Sequence, residues 1–100
     1  MSLVLSLKQG DDFWVGNRQV VVSRIQDAKK FWLSIDGKEF EIVDTHATEI
    51  LPDVFVASGD FFKYGMVRVA IDAPREIEIL RGDRYRARQR EKQWDFASTK

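Results

Sequence analysis

Residues 70–86, AIDAPREIEILRGDRYR, combine two strand-like runs with a proline and a basic end. Apolar and polar side chains alternate up to Ile71, and this period of two predicts a half-buried β-strand. Pro74 cannot donate a backbone hydrogen bond to a strand ladder, so the strand is predicted to break there. Alternation resumes over residues 77–80, and the sequence becomes basic from Arg81. The stretch therefore predicts a strand, a break, a second short strand and then a change of element.

Short alternating or β-branched runs predict strands along most of the remaining chain. With the two strands above, they cover residues 3–7, 13–15, 19–25, 31–35, 39–43, 54–57, 66–71 and 77–80. Asp36-Gly37 predicts a tight hairpin turn, because glycine adopts positive φ at little steric cost. Residues 45–51 fit either a short strand or a helical turn. One hundred residues suit a single small domain, predicted to be mostly β with antiparallel pairing.

The basic segment after Arg81 predicts a C-terminal surface α-helix over residues 83–94. Asp83 can cap its start by accepting hydrogen bonds from early backbone N–H groups. The arginine, alanine, glutamine and lysine residues that follow favour the helical conformation. The helix has little apolar surface before Trp94, so it is predicted to lie on the outside of the domain. Trp94 and Phe96 could dock on the β-strands or on a partner.

Several classes of function find no support in the composition. The chain has no cysteine, which excludes disulfides and thiol catalysis and fits a cytoplasmic location. His46 is the only histidine and has no spaced ligand set around it, so we expect no metal, no cofactor, no small-molecule substrate and no enzyme. Asp11-Asp12 lack the spacing of a calcium loop and are expected in solvated turns or at strand edges. No apolar run approaches the roughly 18 residues that span a bilayer, so no membrane partner is expected.

Charge is unevenly distributed along the chain, although the formal net charge is zero. Residues 36–60 contain seven acidic side chains and one basic side chain, whereas residues 81–92 contain six basic and two acidic ones. Such asymmetry can place a cationic surface on a neutral protein. A solvated basic helix with no ligand would carry the same pattern, so both interpretations stay open.

Two separated blocks of sequence resemble one known family. LVLSLKQGDDFWVG at residues 3–16 and VRVAIDAPREIEILRGDRYR at residues 67–86 are similar to the carbon storage regulator family (CsrA/RsmA) of small bacterial RNA-binding proteins. The resemblance implies a small antiparallel β-sheet or barrel-like fold, built in that family as an interleaved dimer of five-stranded chains. It implies a post-transcriptional regulator that recognises GGA in hairpin loops of mRNA 5′ leaders or small RNAs, and alters translation or mRNA stability.

The resemblance also implies which residues bind RNA. In that family each site combines the first strand of one protomer with the last strand of the other. Matched position by position, the site would comprise Leu5, Ser6, Lys8, Ala73, Pro74, Arg75, Ile79 and Arg81. The basic surface helix that follows could add phosphate contacts through Arg84 and Arg88. Arg81 would be the principal residue, because its planar guanidinium presents a fork of donors that lysine lacks.

The chain departs from the family pattern in three ways. Leu7 stands where a basic residue is usual, and Gly82 replaces the acid that commonly follows the principal arginine. About 40 additional residues also lie between the two blocks. These could form a degenerate second copy, because SIDGKEFEIVD at residues 34–44 lines up with residues 70–81 with one gap.

Two assemblies are possible, depending on whether these additional residues are a second copy. Internal repeats at residues 12–44 and 48–81 would make a fused pseudo-dimer, in which Asp44 takes the place of Arg81 and only one site is kept. If hairpins simply share this alternation, the chain would form the usual homodimer instead.

A different function is also compatible with the sequence. A diverged protein-interaction module could keep the fold and lose RNA binding, and the zero net charge, Leu7 and Asp44 favour it. Trp14 and Trp32 do not separate the two functions, because both lie in apolar runs and are expected to pack in the core or an interface.

Overall fold

A computed structural model describes residues 2–98, apart from the side chains of Phe61 and of residues 91–98. Over residues 2–98 the chain forms nine β-strands followed by one α-helix. Their bounds are β1 Ser2–Lys8, β2 Asp12–Val15, β3 Arg18–Asp27, β4 Lys30–Ile35, β5 Lys38–Val43, β6 Thr48–Leu51, β7 Val54–Lys63, β8 Met66–Asp72, β9 Ile79–Arg81 and α1 Gly82–Ser98. The predicted class, mostly β with antiparallel pairing and a C-terminal helix, is confirmed.

The strands form two antiparallel sheets whose edges are contributed by distant parts of the chain. The first sheet has the order β1-β8-β7-β6, and the second has the order β5-β4-β3-β2-β9. A three-stranded meander lies inside each sheet, β6-β7-β8 in the first and β2-β3-β4 in the second. β1 flanks β8 as β5 flanks β4, and β9 flanks β2. Within the described residues, no strand takes the corresponding place beside β6.

The hydrophobic core is one cluster to which both sheets contribute alternate residues. In β1, for example, Leu7 is fully buried and Leu5 packs against the core, whereas Val4 points outward and is 54% exposed. Burying one large aliphatic or aromatic side chain contributes about 1.5–3 kcal/mol to folding. The largest fully buried side chains are Leu7, Phe13, Val20, Val22, Phe31, Leu33, Ile42, Val54, Val56, Val67, Val69 and Ile71.

The two similar stretches of sequence follow different paths. Asp36 and Gly37 both have positive φ and close the predicted hairpin, so β5 returns along β4 in the same sheet. After β8, by contrast, residues 73–78 leave the first sheet and carry β9 to the edge of the second. Asp44 lies just after β5, whereas Arg81 ends β9. A proline in the later stretch accounts for this difference, because it cannot continue a ladder.

The boundaries of the last elements differ from the predicted ones. The ambiguous segment at residues 45–51 contains strand β6. The final strand is shorter and later than predicted, since Ile77 lies in a turn where its N–H donates to the Pro74 carbonyl oxygen at 3.1 Å. Helix α1 begins at Gly82, one residue before the predicted start, and Asp83 lies inside its first turn. The side chains of Trp94 and Phe96 lie outside the described part of the chain.

Candidate nucleic-acid interface

Arg81 links the last strand of the chain to the first. Its Nη1 donates a hydrogen bond of 2.7 Å to the carbonyl oxygen of Ser6, 75 residues away in the other sheet. Its Nε donates to Asp83 Oδ1 at 3.3 Å. The Arg81 side chain is 39% exposed, so a ligand at the surface can reach the guanidinium. β1 and β9 therefore meet at one accessible point.

Strand pairing explains why Arg81 points towards β1. β9 pairs with β2 so that Arg81 stands opposite Phe13 and Ile79 opposite Val15. Because residues two apart share one face of a strand, Ile79 and Arg81 point to the same side as the buried Phe13 and Val15. Ile79 packs against the core, and Arg81 reaches past it at the end of the strand. The alternating pattern therefore points the Arg81 side chain towards β1. This junction of β1 and β9 is the seam between the two sheets.

The loop that follows β8 forms one wall of a cleft of about 300 Å³. Leu3 of β1 forms part of the opposite wall. Ala73 is buried, Pro74 is half-buried and Arg75 is exposed, so the cleft has an apolar floor and a charged rim. Unpaired bases are typically held by stacking on such apolar surfaces and by polar groups at their edges. The lining residues are Leu3, Ala73, Pro74, Arg75, Glu76, Ile77, Glu78 and Ile79.

Helix α1 is fixed beside this seam by aromatic stacking on β2. The rings of Trp14 and Tyr85 are stacked, with centroids 3.9 Å apart and planes inclined by 7°. Trp14 therefore packs against the helix, as expected for an interface residue. Gly82 at the start of the helix is buried, and a Cβ built there would stand 1.8 Å from Asp12 Oδ1. Only glycine allows the helix to begin this close to β2.

Asp12 is a buried carboxylate, so the expectation that it is solvated is wrong. It is 8% exposed and accepts hydrogen bonds on Oδ2 from Arg86 Nη1 at 3.0 Å and from Gln19 Nε2 at 2.8 Å. Burial raises the pKa of this carboxyl, but the hydrogen bonds from Arg86 and Gln19 and the charge of Arg86 outweigh it, so the pKa lies below its ordinary value. The buried Trp14 Nε1–H makes no hydrogen bond within the described residues.

Eight of the ten predicted RNA-binding residues fall into three groups in the structure. Ser6 and Arg81 are joined by their hydrogen bond, and four others line the cleft, namely Ala73, Pro74, Arg75 and Ile79. Arg84 and Arg88 lie on the helix beside Leu80. Arg88 Nη1 lies 2.5 Å from Glu78 Oε1, so its charge is balanced by that carboxylate.

The two remaining residues of the first strand have different surroundings. The Leu5 side chain packs against the core and is only partly buried, so part of its surface is available to a ligand. Lys8 is exposed at the end of β1, where its N–H donates to Asp11 Oδ2 at 3.1 Å. Sequence reasoning missed Asp12, Gln19 and Arg86, because nothing local signals a contact across 74 residues.

The comparisons and the remaining features add little to this geometry. Family models, curated proteins and solved structures were compared with the chain, and none matches. Within the part of the chain that the structure describes, no three metal-ligating side chains cluster, and no helix has the length and apolarity needed to cross a membrane.

Proposed function

We propose that the chain is a cytoplasmic post-transcriptional regulator that binds a GGA-containing RNA hairpin loop along the seam of β1, β9 and residues 73–78. The observation that carries the proposal is the hydrogen bond from Arg81 to the Ser6 carbonyl oxygen. This hydrogen bond brings the first and last strands together in one chain. The family resemblance implies an RNA site where these two strands meet. Binding there would alter translation or stability of the mRNA.

The chemistry of the seam suits guanine. Arginine commonly donates two hydrogen bonds to O6 and N7 of guanine, and Arg81 carries a fork of this geometry at an accessible position. Backbone carbonyl oxygens can accept from the exocyclic amino groups of guanine and adenine, as the Ser6 carbonyl could once Arg81 turns to the base. The neighbouring cleft, with Pro74 and Ile79, offers apolar surface for an unstacked base.

The arrangement of strands supports a fused pseudo-dimer with one site. The two three-stranded meanders would stand for the two protomers of the family, with β9 flanking the β2-β3-β4 meander and β1 flanking the β6-β7-β8 meander. A second site would need a strand beside β6, and the described residues provide none. Asp44, near that place, would repel phosphate.

Arg81→Ala tests the proposal in a titration of a labelled GGA hairpin by fluorescence anisotropy. We expect at least about a tenfold loss of affinity, since a bidentate base contact is worth about 1–3 kcal/mol. Arg24→Ala is the matched control, because Arg24 stacks on Trp32 at 4.1 Å on the outer face of the second sheet. A hairpin with CCU in place of GGA should bind both proteins weakly. Equal affinity of Arg81→Ala and the parent chain for the GGA hairpin would contradict the proposed site.

The ion pairs at the seam favour a second candidate, a protein-interaction module of the same fold. Arg81, Arg86 and Arg88 each face a carboxylate, which reduces the positive potential available to RNA. This candidate predicts no binding of randomised RNA hairpins even at low ionic strength, where phosphate contacts are strongest. The same anisotropy titration therefore separates the two functions.

A further inference from the structure

The outer face of the first sheet is apolar at its centre and charged at its two ends. Pairing places Val4, Ala70 and Ala57 side by side across β1, β8 and β7. Val4 is 54% exposed and Phe55, in the next row, is 38% exposed. A groove of about 250 Å³ runs between these side chains. Contiguous apolar surface with a polar rim commonly marks an interaction site.

The second sheet differs, because helix α1 packs on its outer face. Tyr85 lies flat on Trp14 there, and Arg86 reaches Asp12. Within the described residues, no helix lies over the outer face of the first sheet. This face is therefore the one that a partner can cover.

We propose that a second copy of this chain covers the face, with the two first sheets packed face to face about a two-fold axis. The axis runs across the strands along the row of Val4, Ala70 and Ala57, so that each small central residue meets its own counterpart. Small side chains in the middle allow two sheets to approach closely, near the usual spacing of about 10 Å. Two-fold contacts need a surface that is complementary to itself.

The charges on β8 meet this requirement. Arg68 and Asp72 stand on the outer face two residues before and two residues after Ala70, and both are exposed. Rotation about the proposed axis reverses the strand, so Arg68 of one copy faces Asp72 of the other. Both residues also have interactions within their own chain, and the two ends of the face carry formal charges of opposite sign. An axis along β8 would instead set Asp72 against Asp72, which like charges disfavour.

The shape of the face favours the same axis. Phe55 shares a row with Asp72, and Gly59 lies beside Arg68, where a Cβ would stand 2.8 Å from the Arg68 Cβ. The two-fold rotation that brings Arg68 of one copy over Asp72 of the other also places Phe55 of one copy over Gly59 of the other. A large exposed ring thus meets the one position of β7 that carries no side chain at all. The axis is fixed by two independent features, charge and shape.

A charge-exchange series tests this dimer by sedimentation equilibrium over a range of protein concentrations. We expect the parent chain to self-associate, and Arg68→Asp or Asp72→Arg alone to weaken association by at least about tenfold through repulsion. The double variant Arg68→Asp/Asp72→Arg should restore association, because each pair regains opposite charges. Glu39→Arg, exposed on the second sheet, is the control, and circular dichroism checks that each variant folds. A monomeric parent chain at about 1 mM, or a double variant no stronger than the singles, would overturn the proposal.

Crosslinking gives a readout that does not depend on the charges. The chain has no cysteine, so one introduced thiol reports one position. Ala70→Cys should give a covalent dimer with a short bis-maleimide, since Ala70 meets Ala70 on the axis. Ser34→Cys, on the outer face of the second sheet, should give no covalent dimer. Crosslinking at Ser34 in place of Ala70 would assign the contact to the second sheet and refute the proposed face.

Discussion

At Gly82 the chain has no room for even one methyl group. The carboxylate of Asp12 occupies the space where a Cβ would lie, and it is held there by Arg86 and Gln19. The acid that the family resemblance expects at this position is therefore excluded by the local packing. One buried carboxylate decides where the helix begins and which residue can follow Arg81.

Gly82→Ala should destabilise the protein by about 1–3 kcal/mol, the usual cost of overpacking. Chemical denaturation at neutral pH measures this free energy of unfolding. In an Asp12→Ala background the added methyl group gains space, so the same change at residue 82 should cost much less. Equal costs in the two backgrounds would show that the strain has another origin.

The buried Asp12 carboxylate should also make stability depend on pH. Its pKa in the folded protein is lowered, so its contribution is fully present above the ordinary carboxyl pKa and is lost as pH falls through the folded value. The contribution of Asp12 to the free energy of unfolding should therefore hold from neutral pH down to about the ordinary carboxyl pKa and be lost progressively below it. Asp12→Asn should flatten this dependence. An unchanged pH profile in that variant would assign the acid sensitivity to other groups.

At the scale of elements, α1 depends on contacts at its first two turns. The Trp14–Tyr85 stack and the Asp12–Arg86 ion pair both hold residues 82–86 against β2. Aromatic pairs of this kind are worth about 0.5–1.5 kcal/mol beyond the area they bury. The helix is thus attached to the second sheet near its start, next to the candidate interface.

Tyr85→Ala should loosen the helix without unfolding the sheets. We expect faster amide hydrogen exchange in α1 and unchanged protection in β3 and β4, because local opening follows the contacts that hold each element. Tyr85→Phe keeps the stacked ring and should leave exchange near the parent rate. Equal loss of protection throughout the chain would mean that α1 and the sheets open as one unit.

Local pattern predicts most elements but not where they pair. The alternation in β1 and the Asp36-Gly37 hairpin are visible in a few neighbouring residues, and both lie where the sequence indicates them. Pairing of β1 with β8 and of β9 with β2 has no local signal. Asp12 is misjudged for the same reason, since an acid beside a turn looks solvated until Arg86 arrives from the helix. Only the family resemblance predicts that Ser6 and Arg81 belong to one site.

At the scale of the whole molecule, each sheet is closed by a strand from the opposite end of the chain. β1 enters the first sheet beside β8, and β9 enters the second beside β2. The candidate RNA site lies where these two exchanged strands approach each other. A single chain therefore holds both halves of the seam.

This arrangement predicts one RNA for each chain. Native mass spectrometry of the complex with a GGA hairpin should give equal numbers of protein and RNA molecules, whether the protein is a monomer or a dimer. Asp44→Arg should leave that ratio unchanged, because one basic side chain does not supply the missing strand beside β6. Two RNA molecules on one chain would require a second site and would contradict the fused arrangement.

The pairing of β1 with β8 and of β9 with β2 also sets the order in which the strands can pair during synthesis. A nascent chain can build the β2-β3-β4-β5 hairpins as they leave the ribosome, since those contacts are local. β1 must wait, because its pairing partner ends only at Asp72. The Arg81–Ser6 bond forms later still. β1 is thus among the last of these strands to pair, and the seam forms only after β9 has been made.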